Sequence, residues 1–126
     1  MEYYEKNGKI GVLVSEGYGA GWSTWNNADL AYDKRVVEFW LSHKDDKEFM
    51  ETVGDDGYYC CESKAHKEAE DFFYSIGYKK CPYMGGFSDI VLKFVPRGIQ
   101  WRISEYDGYE EFESLEDLES AGFTTF

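Results

Sequence analysis

The chain has 126 residues, with 25 Asp and Glu against 13 Lys and Arg, so its formal net charge is −12, and 19% of its residues are aromatic. A surface of this sign repels nucleic acid and anionic membranes, and it raises the rate of encounter with basic proteins. The length predicts one domain, residues 1–126, and a hydrophobic content of 43% supplies a core of its own.

Several features that the sequence lacks predict where the protein resides. No run approaches the roughly 20 apolar residues that a membrane span needs, and Met1–Glu5 lacks the basic and apolar regions of a signal peptide. Three cysteines, of which Cys60 and Cys61 are adjacent, do not resemble an extracellular disulfide framework. We therefore expect a cytoplasmic protein.

The N-terminal part of the chain predicts a strand, a loop and a helix. Residues 10–14 form an apolar run typical of a strand, and Asn7-Gly8 predicts a hairpin turn before it. Residues 17–26, the glycine–tryptophan loop, contain too much glycine for a regular element. Asp33 is a candidate helix cap, and apolar residues at helical spacing then predict a helix that ends near His43.

Two further helical segments are expected in the middle of the chain. A short one runs through residues 49–50 and ends at 53–54, and residues 55–57, Asp-Asp-Gly, are predicted to form a turn. The clearest helix follows Ser63, a candidate N-cap, and has an apolar stripe on one side. Gly77 is placed to end it.

The C-terminal part predicts antiparallel strands. Residues 89–95 and 99–104 alternate in polarity with a reversal at 96–98, and Asp107-Gly108 is a strong hairpin signal. Residues 89–113 are therefore predicted to form a three-stranded meander, followed by a loosely attached acidic tail over 113–126. The predicted fold class is α+β, a single domain. Its antiparallel sheet combines this meander with the N-terminal strand and carries one or two helices on one face.

The acidic residues are concentrated in two stretches. Residues 105–119 contain eight acids and no Lys, Arg or His, and residues 45–56 contain Lys47 as their only base. These carboxylates either contact a basic partner or merely keep the surface soluble. The candidate partner-binding residues are Glu110, Glu111, Glu113, Glu116, Asp117 and Glu119, with Asp45, Asp46, Asp55 and Asp56 as a second patch.

Cysteine and histidine residues in the middle of the chain are candidate metal ligands. Cys61 and His66 can converge near the start of the predicted helix, whereas Cys81 can join them only if the following loop runs back. Thiolate and imidazole suit zinc, although the spacing matches no standard zinc-finger pattern. The hypothesis is a structural zinc ion bound by Cys61, His66, Cys81 and either His43 or Cys60. The alternative is that the cysteines are small buried residues and the histidines are solvated.

No catalytic residue is predicted. The acidic chain disfavours a thiolate at Cys60 or Cys61, and no carboxylate pair can be singled out for acid–base work. The glycine–tryptophan loop also lacks the spacing of known phosphate-binding loops. We therefore expect neither an enzyme nor a small-molecule substrate.

Two sequence motifs resemble those of a known family. Residues 19–26 read GAGWSTWN and residues 95–108 read VPRGIQWRISEYDG. Both resemble signatures of a family of small, acidic phage and prophage proteins, and the order of elements is similar too. Some small acidic phage proteins of this kind are anti-CRISPR inhibitors. The resemblance therefore implies an inhibitor of a type II-A effector, the Cas9 nuclease, acting in the bacterial host cytoplasm. The motifs themselves predict structure, because glycines permit tight backbone and Trp22 and Trp25 bury large areas.

The predicted function is that of a stoichiometric inhibitor. Acting as a nucleic-acid mimic, it would bind a basic nucleic-acid-binding protein, by resemblance Cas9, and block the loading of guide or target nucleic acid. Two alternatives remain open. The first is an immunity or antitoxin-like protein that neutralises a basic toxin, and the second is a small phage structural or morphogenesis protein.

Overall fold

The computed structural model describes residues 2–59, 63–115 and 124–126, and the side chains of residues 2–54, 63–114 and 126. Within these ranges lie three α-helices: α1 (Lys34–His43), α2 (Lys47–Tyr59) and α3 (Lys64–Ser75). The strands are β1 (Glu5–Lys6), β2 (Lys9–Ser15), β3 (Ile90–Pro96), β4 (Gln100–Tyr106), β5 (Tyr109–Leu115) and β6 (Thr124–Thr125). The predicted α+β class is confirmed.

The described strands form two antiparallel sheets, ordered β1-β2-β3 and β5-β4-β6. The central strand β2 is apolar on both faces. Leu13 packs into the core formed with the helices, whereas Ile10, Val12 and Val14 pack into a second core together with Trp101 of β4. The helices therefore cover one face of the first sheet, and the second sheet covers the other.

The predicted three-stranded meander over residues 89–113 is wrong in its first strand. β3 pairs with β2, from Ile90 opposite Ser15 to Pro96 opposite Lys9, while β4 pairs with β5 and β6. The reason is that β3 is apolar on both faces. Leu92 packs against the helical core and Val91 against the second core, a pattern typical of a strand covered on both sides.

Helices α1 and α3 begin as predicted. Asp33 Oδ1 accepts the N–H of Arg35 at 3.0 Å, and Ser63 Oγ accepts the N–H of His66 at 3.0 Å. Gly77 follows the end of α3 with φ +102°, a conformation that glycine adopts without strain. In the described part of the chain, no helix has the length and apolar character needed to cross a membrane.

Helix α2 is longer than predicted. The prediction of a helix end at residues 53–54 and a turn at 55–57 is wrong, because the helical backbone continues to Tyr59. Tertiary packing explains the difference. Val53 is fully buried, and Gly54 lies so close to Ser88 that a Cβ there would be 3.0 Å from the serine Oγ. Packing here outweighs the local turn signal.

Both predicted hairpin turns are confirmed. Asn7 and Gly8 have φ values of 55° and 75°, and Asp107 and Gly108 have 49° and 85°. A type I′ turn needs positive φ at both central residues, which explains why these two-residue sequences connect β1 to β2 and β4 to β5.

The predicted acidic tail, residues 113–126, falls largely outside the described residues. Its first residues belong to β5, and Thr124–Thr125 pairs with β4. The ring centroid of Phe126 lies 4.5 Å from that of Tyr3 and 5.1 Å from that of Trp101. The end of the chain thus contributes an aromatic side chain to the second core.

Candidate functional site

Glu110 on β5 is fully buried beneath the glycine–tryptophan loop. Its carboxylate accepts the backbone N–H groups of Ser15 at 2.9 Å, Trp22 at 2.9 Å and Thr24 at 3.0 Å, as well as the Thr24 hydroxyl. No Lys, Arg or His among the described residues forms an ion pair with it, so N–H dipoles compensate its charge. The prediction that Glu110 contacts a partner is therefore wrong.

The two sequence motifs, residues 19–26 and 95–108, contact each other. The Asp107 carbonyl accepts the N–H of Gly19 at 2.6 Å, and a Cβ on Gly108 would overlap the backbone of Ala20. Trp22 is fully buried and donates its indole N–H to the Leu30 carbonyl at 3.1 Å. The packing role predicted for Trp22 is confirmed, but that predicted for Trp25 is wrong, since Trp25 is 41% exposed and only stacks on Tyr83 with ring centroids 5.9 Å apart. Glu110 extends the structural unit around Trp22 by two residues.

The remaining predicted carboxylates at the C-terminal end differ in their pairing. Glu111 is exposed and has no ion-pair partner among the described residues. Glu113 accepts hydrogen bonds from Arg102 at 2.8 Å and from Ser104 at 2.9 Å, and these bonds lower its pKa. Glu116, Asp117 and Glu119 lie outside the described residues.

The second predicted patch is described only in part. The side chain of Asp45 is 91% exposed and lies 3.6 Å from the Lys44 ammonium. Asp46 accepts the N–H of Phe49 at 3.1 Å in the first turn of α2. The side chains of Asp55 and Asp56 lie outside the described residues, although their backbone belongs to α2.

Most basic side chains are already paired with neighbouring acids. Of the 13 Lys and Arg residues, eight lie within 4.0 Å of a carboxylate oxygen in the described part of the chain. Such pairs at an exposed surface contribute little stability, but they place positive charge next to negative charge. The negative excess among the described residues is left on carboxylates that form no ion pair there, such as Glu111.

An exposed aromatic surface lies at the tip of the β4–β5 hairpin. Tyr106 and Tyr109 are opposite each other on the outer face, and Glu111 follows on the same face. Tyr18 of the glycine–tryptophan loop places its ring centroid 5.0 Å from that of Tyr109. Tyr106 is 78% exposed and Tyr18 is 68% exposed. We call Tyr18, Tyr106, Asp107, Tyr109 and Glu111 the hairpin-tip surface.

Sequence reasoning missed these tyrosines, although a signal was present. Tyr106 and Tyr109 flank Asp107-Gly108, and a two-residue hairpin places the flanking residues opposite each other on one face. The apolar residues Ile103 and Phe112 lie opposite each other on the other face, which packs into the second core, so the tyrosines point outward. Tyr18 could not be placed in this way, because it lies in an irregular loop.

The structure brings together two of the predicted metal ligands. His66, Glu70 and Cys81 each offer a ligand atom, and these atoms all lie within 4.8 Å of one another. The Nδ1 atom of His66 is buried without a hydrogen-bond partner. Burial and the nearby Glu70 carboxylate raise the pKa of the Cys81 thiol to about 11. Glu70 was not predicted, although its spacing from His66 places both on one face of a helix.

The other predicted ligands are not in this group. His43 stacks on Phe49 with ring centroids 4.2 Å apart, and its Nε2 atom lies 3.6 Å from Glu68 Oε1. The prediction that His43 joins His66 and Cys81 is therefore not supported by its position. Cys60 and Cys61 lie outside the described residues.

A cavity of about 770 Å³ lies between residues 26–35 and residues 76–83. Arg35 crosses it, donating to Asp33 at 2.8 Å and to the Ile76 carbonyl at 3.0 Å. Burial, with the carboxylates of Asp33 and Asp29 nearby, raises the pKa of Tyr78 on its wall to about 12. Tyr78 and Cys81 are therefore protonated at neutral pH, and neither is an activated nucleophile or base.

Comparison of the chain with protein-family models, curated proteins and solved structures finds no match to any of them. Any function assigned to it must therefore be argued from its own residues. Within the described residues, the acidic surface with the hairpin tip and the group of His66, Glu70 and Cys81 offer groups that are available for binding.

Proposed function

We propose that this protein is an inhibitor that binds a basic nucleic-acid-binding protein through its acidic surface. The proposed partner is a type II-A Cas9, which the motifs at residues 19–26 and 95–108 imply by resemblance. Carboxylates would occupy positions that phosphates of guide RNA or target DNA take in the active complex. Loading of nucleic acid would then be blocked by competition.

The distribution of surface charge carries this proposal. The formal net charge is −12, and eight of the 13 bases lie beside acids, so the negative potential comes from carboxylates such as Glu111, which forms no ion pair within the described residues. A potential of this sign accelerates encounter with a basic surface and favours contacts that salt weakens. A wholly buried carboxylate adds nothing to such contacts, so Glu110 is not part of the proposed surface.

Inhibition of DNA cleavage tests the proposal. Purified Cas9 is mixed with the protein before or after guide RNA, and cleavage of a target duplex is followed at low and high salt. We expect inhibition near one equivalent when the protein is added first, and weaker inhibition at high salt. Absence of both inhibition and binding at low salt would remove Cas9 as the partner.

A matched pair of variants shows whether Cas9 binding depends on the carboxylates of one patch or only on the total charge of the protein. One variant neutralises Glu111, Glu116, Asp117 and Glu119 to Gln or Asn, and the control changes Glu2, Glu38, Glu68 and Asp71, which lie outside both acidic stretches, in the same way. Both lose the same charge. We expect the first to weaken binding of Cas9 by more than about tenfold and the control to weaken it far less. Equal losses would favour a nonspecific charge effect.

We also propose that a zinc ion binds at His66, Glu70 and Cys81. The mutual approach of the three ligand atoms within 4.8 Å, with His66 Nε2 3.9 Å from Glu70 Oε2, supports this, and the other ring nitrogen, Nδ1, is buried without a hydrogen-bond partner. Imidazole, thiolate and carboxylate together form a zinc ligand set, and the ligand atoms need only small movements to reach zinc at about 2.0–2.3 Å. A coordinated thiol loses its proton, so the ion would offset the unfavourable ionisation of Cys81.

Elemental analysis of the purified protein tests the zinc proposal. We expect about one equivalent in the wild type, and a loss in the variants H66Q and C81S. The control is H43Q, because His43 also lies beside a glutamate, Glu68, but outside the group. Less than about a tenth of an equivalent after reconstitution of the wild type with zinc would refute the site.

A further inference from the structure

The hairpin-tip surface combines large exposed rings with negative charge. Tyr18 and Tyr106 expose 68% and 78% of their surface, and the ring centroid of Tyr109 lies 5.0 Å from that of Tyr18. Among the described residues, no Lys or Arg forms an ion pair with Asp107 or Glu111. Tyrosine is one of the residue types that concentrate binding energy at protein interfaces, because it buries a large rigid ring at small entropic cost.

This surface is held in place from below. The Asp107 carbonyl accepts the N–H of Gly19 at 2.6 Å, and Gly108 packs directly on the backbone of Ala20. Glu110, next to Tyr109, fixes Trp22 and Thr24 through three hydrogen bonds. The loop that carries Tyr18 and the hairpin that carries Tyr106 are therefore held together at two places, at Asp107-Gly108 and at Glu110. A preordered surface loses less entropy when it binds.

The charge of the surface decides which class of molecule it fits. Asp107 and Glu111 repel phosphate groups, which argues against stacking of nucleic-acid bases on the tyrosines. A second copy of the chain would bring the same carboxylates against each other, which is also unfavourable. A protein surface that carries arginine and lysine fits both features. A guanidinium can stack on a tyrosine ring and donate hydrogen bonds to a neighbouring carboxylate.

We propose that the hairpin-tip surface is the docking surface for an arginine- and lysine-bearing face of the basic partner. This inference rests on the proposed function and names the residues that carry it. Tyr18 and Tyr106 are the anchors, and Asp107 and Glu111 are the charged contacts beside them. The helical layer, on the far side of the first sheet, is not part of the contact.

Binding of purified Cas9, with and without guide RNA, tests the docking surface. Its dissociation constant is measured for the wild type and for the variants Y18A, Y106A and Y74A. Tyr74 is the matched control, because it is also exposed, at 48%, but lies on α3 in the helical layer. Urea unfolding of each variant verifies that the fold is intact. We expect Y18A and Y106A each to weaken binding about tenfold or more, and Y74A to leave it unchanged.

The possible outcomes distinguish this inference from the function on which it rests. If the wild type binds and the variants Y18A, Y106A and Y74A all bind equally well, the docking surface is overturned. The inhibitor proposal would then still stand. No wild-type binding at low salt would remove Cas9 as the partner and would overturn the docking surface proposed for it. Tight binding of single-stranded nucleic acid, lost in Y106A, would identify the surface as a base-stacking platform and would likewise overturn the inference.

Discussion

The Glu110 carboxylate accepts the backbone N–H of Trp22 at 2.9 Å, across 88 residues of sequence. It also accepts the N–H of Ser15 at 2.9 Å, at the end of β2. One side chain of the second sheet thereby accepts hydrogen bonds from the backbone of the glycine–tryptophan loop and from the backbone of β2 in the first sheet. In an irregular loop of this kind, few backbone N–H groups find a carbonyl partner in a helix or a sheet. A buried carboxylate can accept their hydrogen bonds instead.

Replacing Glu110 with glutamine should destabilise the protein strongly. The amide retains one oxygen but turns an NH2 group toward the N–H donors of Ser15 or of Trp22 and Thr24, so buried donors lose their acceptor. We expect the free energy of unfolding to fall by about 3 kcal/mol. Urea unfolding followed by tryptophan fluorescence measures it. The control E111Q changes the next, exposed residue of β5 and should stay within about 0.5 kcal/mol of the wild type. Similar values for both would show that the buried carboxylate is dispensable.

Gly108 and Gly98 offer a matched test of the contact between the two motifs. Both have positive φ, 85° and 87°, so alanine is strained at either position. A Cβ at Gly98 meets no atom within 4 Å, whereas a Cβ at Gly108 overlaps the backbone of Ala20. We expect G98A to lower the free energy of unfolding by about 1 kcal/mol and G108A by about 3 kcal/mol. Thermal or urea unfolding measures both. A G108A loss no larger than that of G98A would contradict the close approach.

The sequence correctly predicted where helices begin and end and where hairpins turn, when a single residue type with a strong backbone preference decides the position. The caps at Asp33 and Ser63, the helix end at Gly77 and both hairpin turns follow from single residues whose backbone preferences are strong. The predicted class needed only these elements and their order. The extent of α2 was missed, because its contact with Ser88 is tertiary.

Contacts between residues far apart in the sequence could not be predicted from the spacing of residue types along the chain. The alternation read from residues 89–95 fits a hairpin with β4, but both faces of β3 are apolar, and both are covered only when β3 pairs with β2, which is itself buried on both faces. Glu110 looked like the other acids of its stretch, since no local pattern marks a carboxylate that is buried. Among the metal ligands, Cys81 could join His66 only if the loop after α3 ran back, and their ligand atoms do lie within 4.8 Å of each other, whereas His43 stacks on Phe49 instead.

Phe126 should contribute to the second core although it belongs to the last described segment. Its ring contacts those of Tyr3, Tyr32 and Trp101 at centroid distances of 4.5, 5.4 and 5.1 Å. We expect F126A to reduce the free energy of unfolding by about 2 kcal/mol, because the ring is partly buried. F94A is the control. Phe94 is 39% exposed on β3, and its loss should be below about 1 kcal/mol. Urea unfolding measures both, and equal effects would show that Phe126 does not pack as described.

Tyr78 should make the stability of the protein fall at alkaline pH. Burial and the carboxylates of Asp33 and Asp29 raise its pKa from 10.0 to about 12, so the folded state holds the phenolic proton more tightly than the unfolded state does. A raised pKa stabilises the fold fully below the unfolded value, and this contribution is lost as the pH rises from about 10 through about 12. The variant Y78F cannot ionise, so its stability should decline less over this interval. Urea unfolding of both proteins between pH 8 and 12 measures the difference, with Y74F, an exposed tyrosine on α3, as the control. Parallel curves for the wild type and Y78F would contradict the raised pKa, since the two differ only in the hydroxyl that titrates.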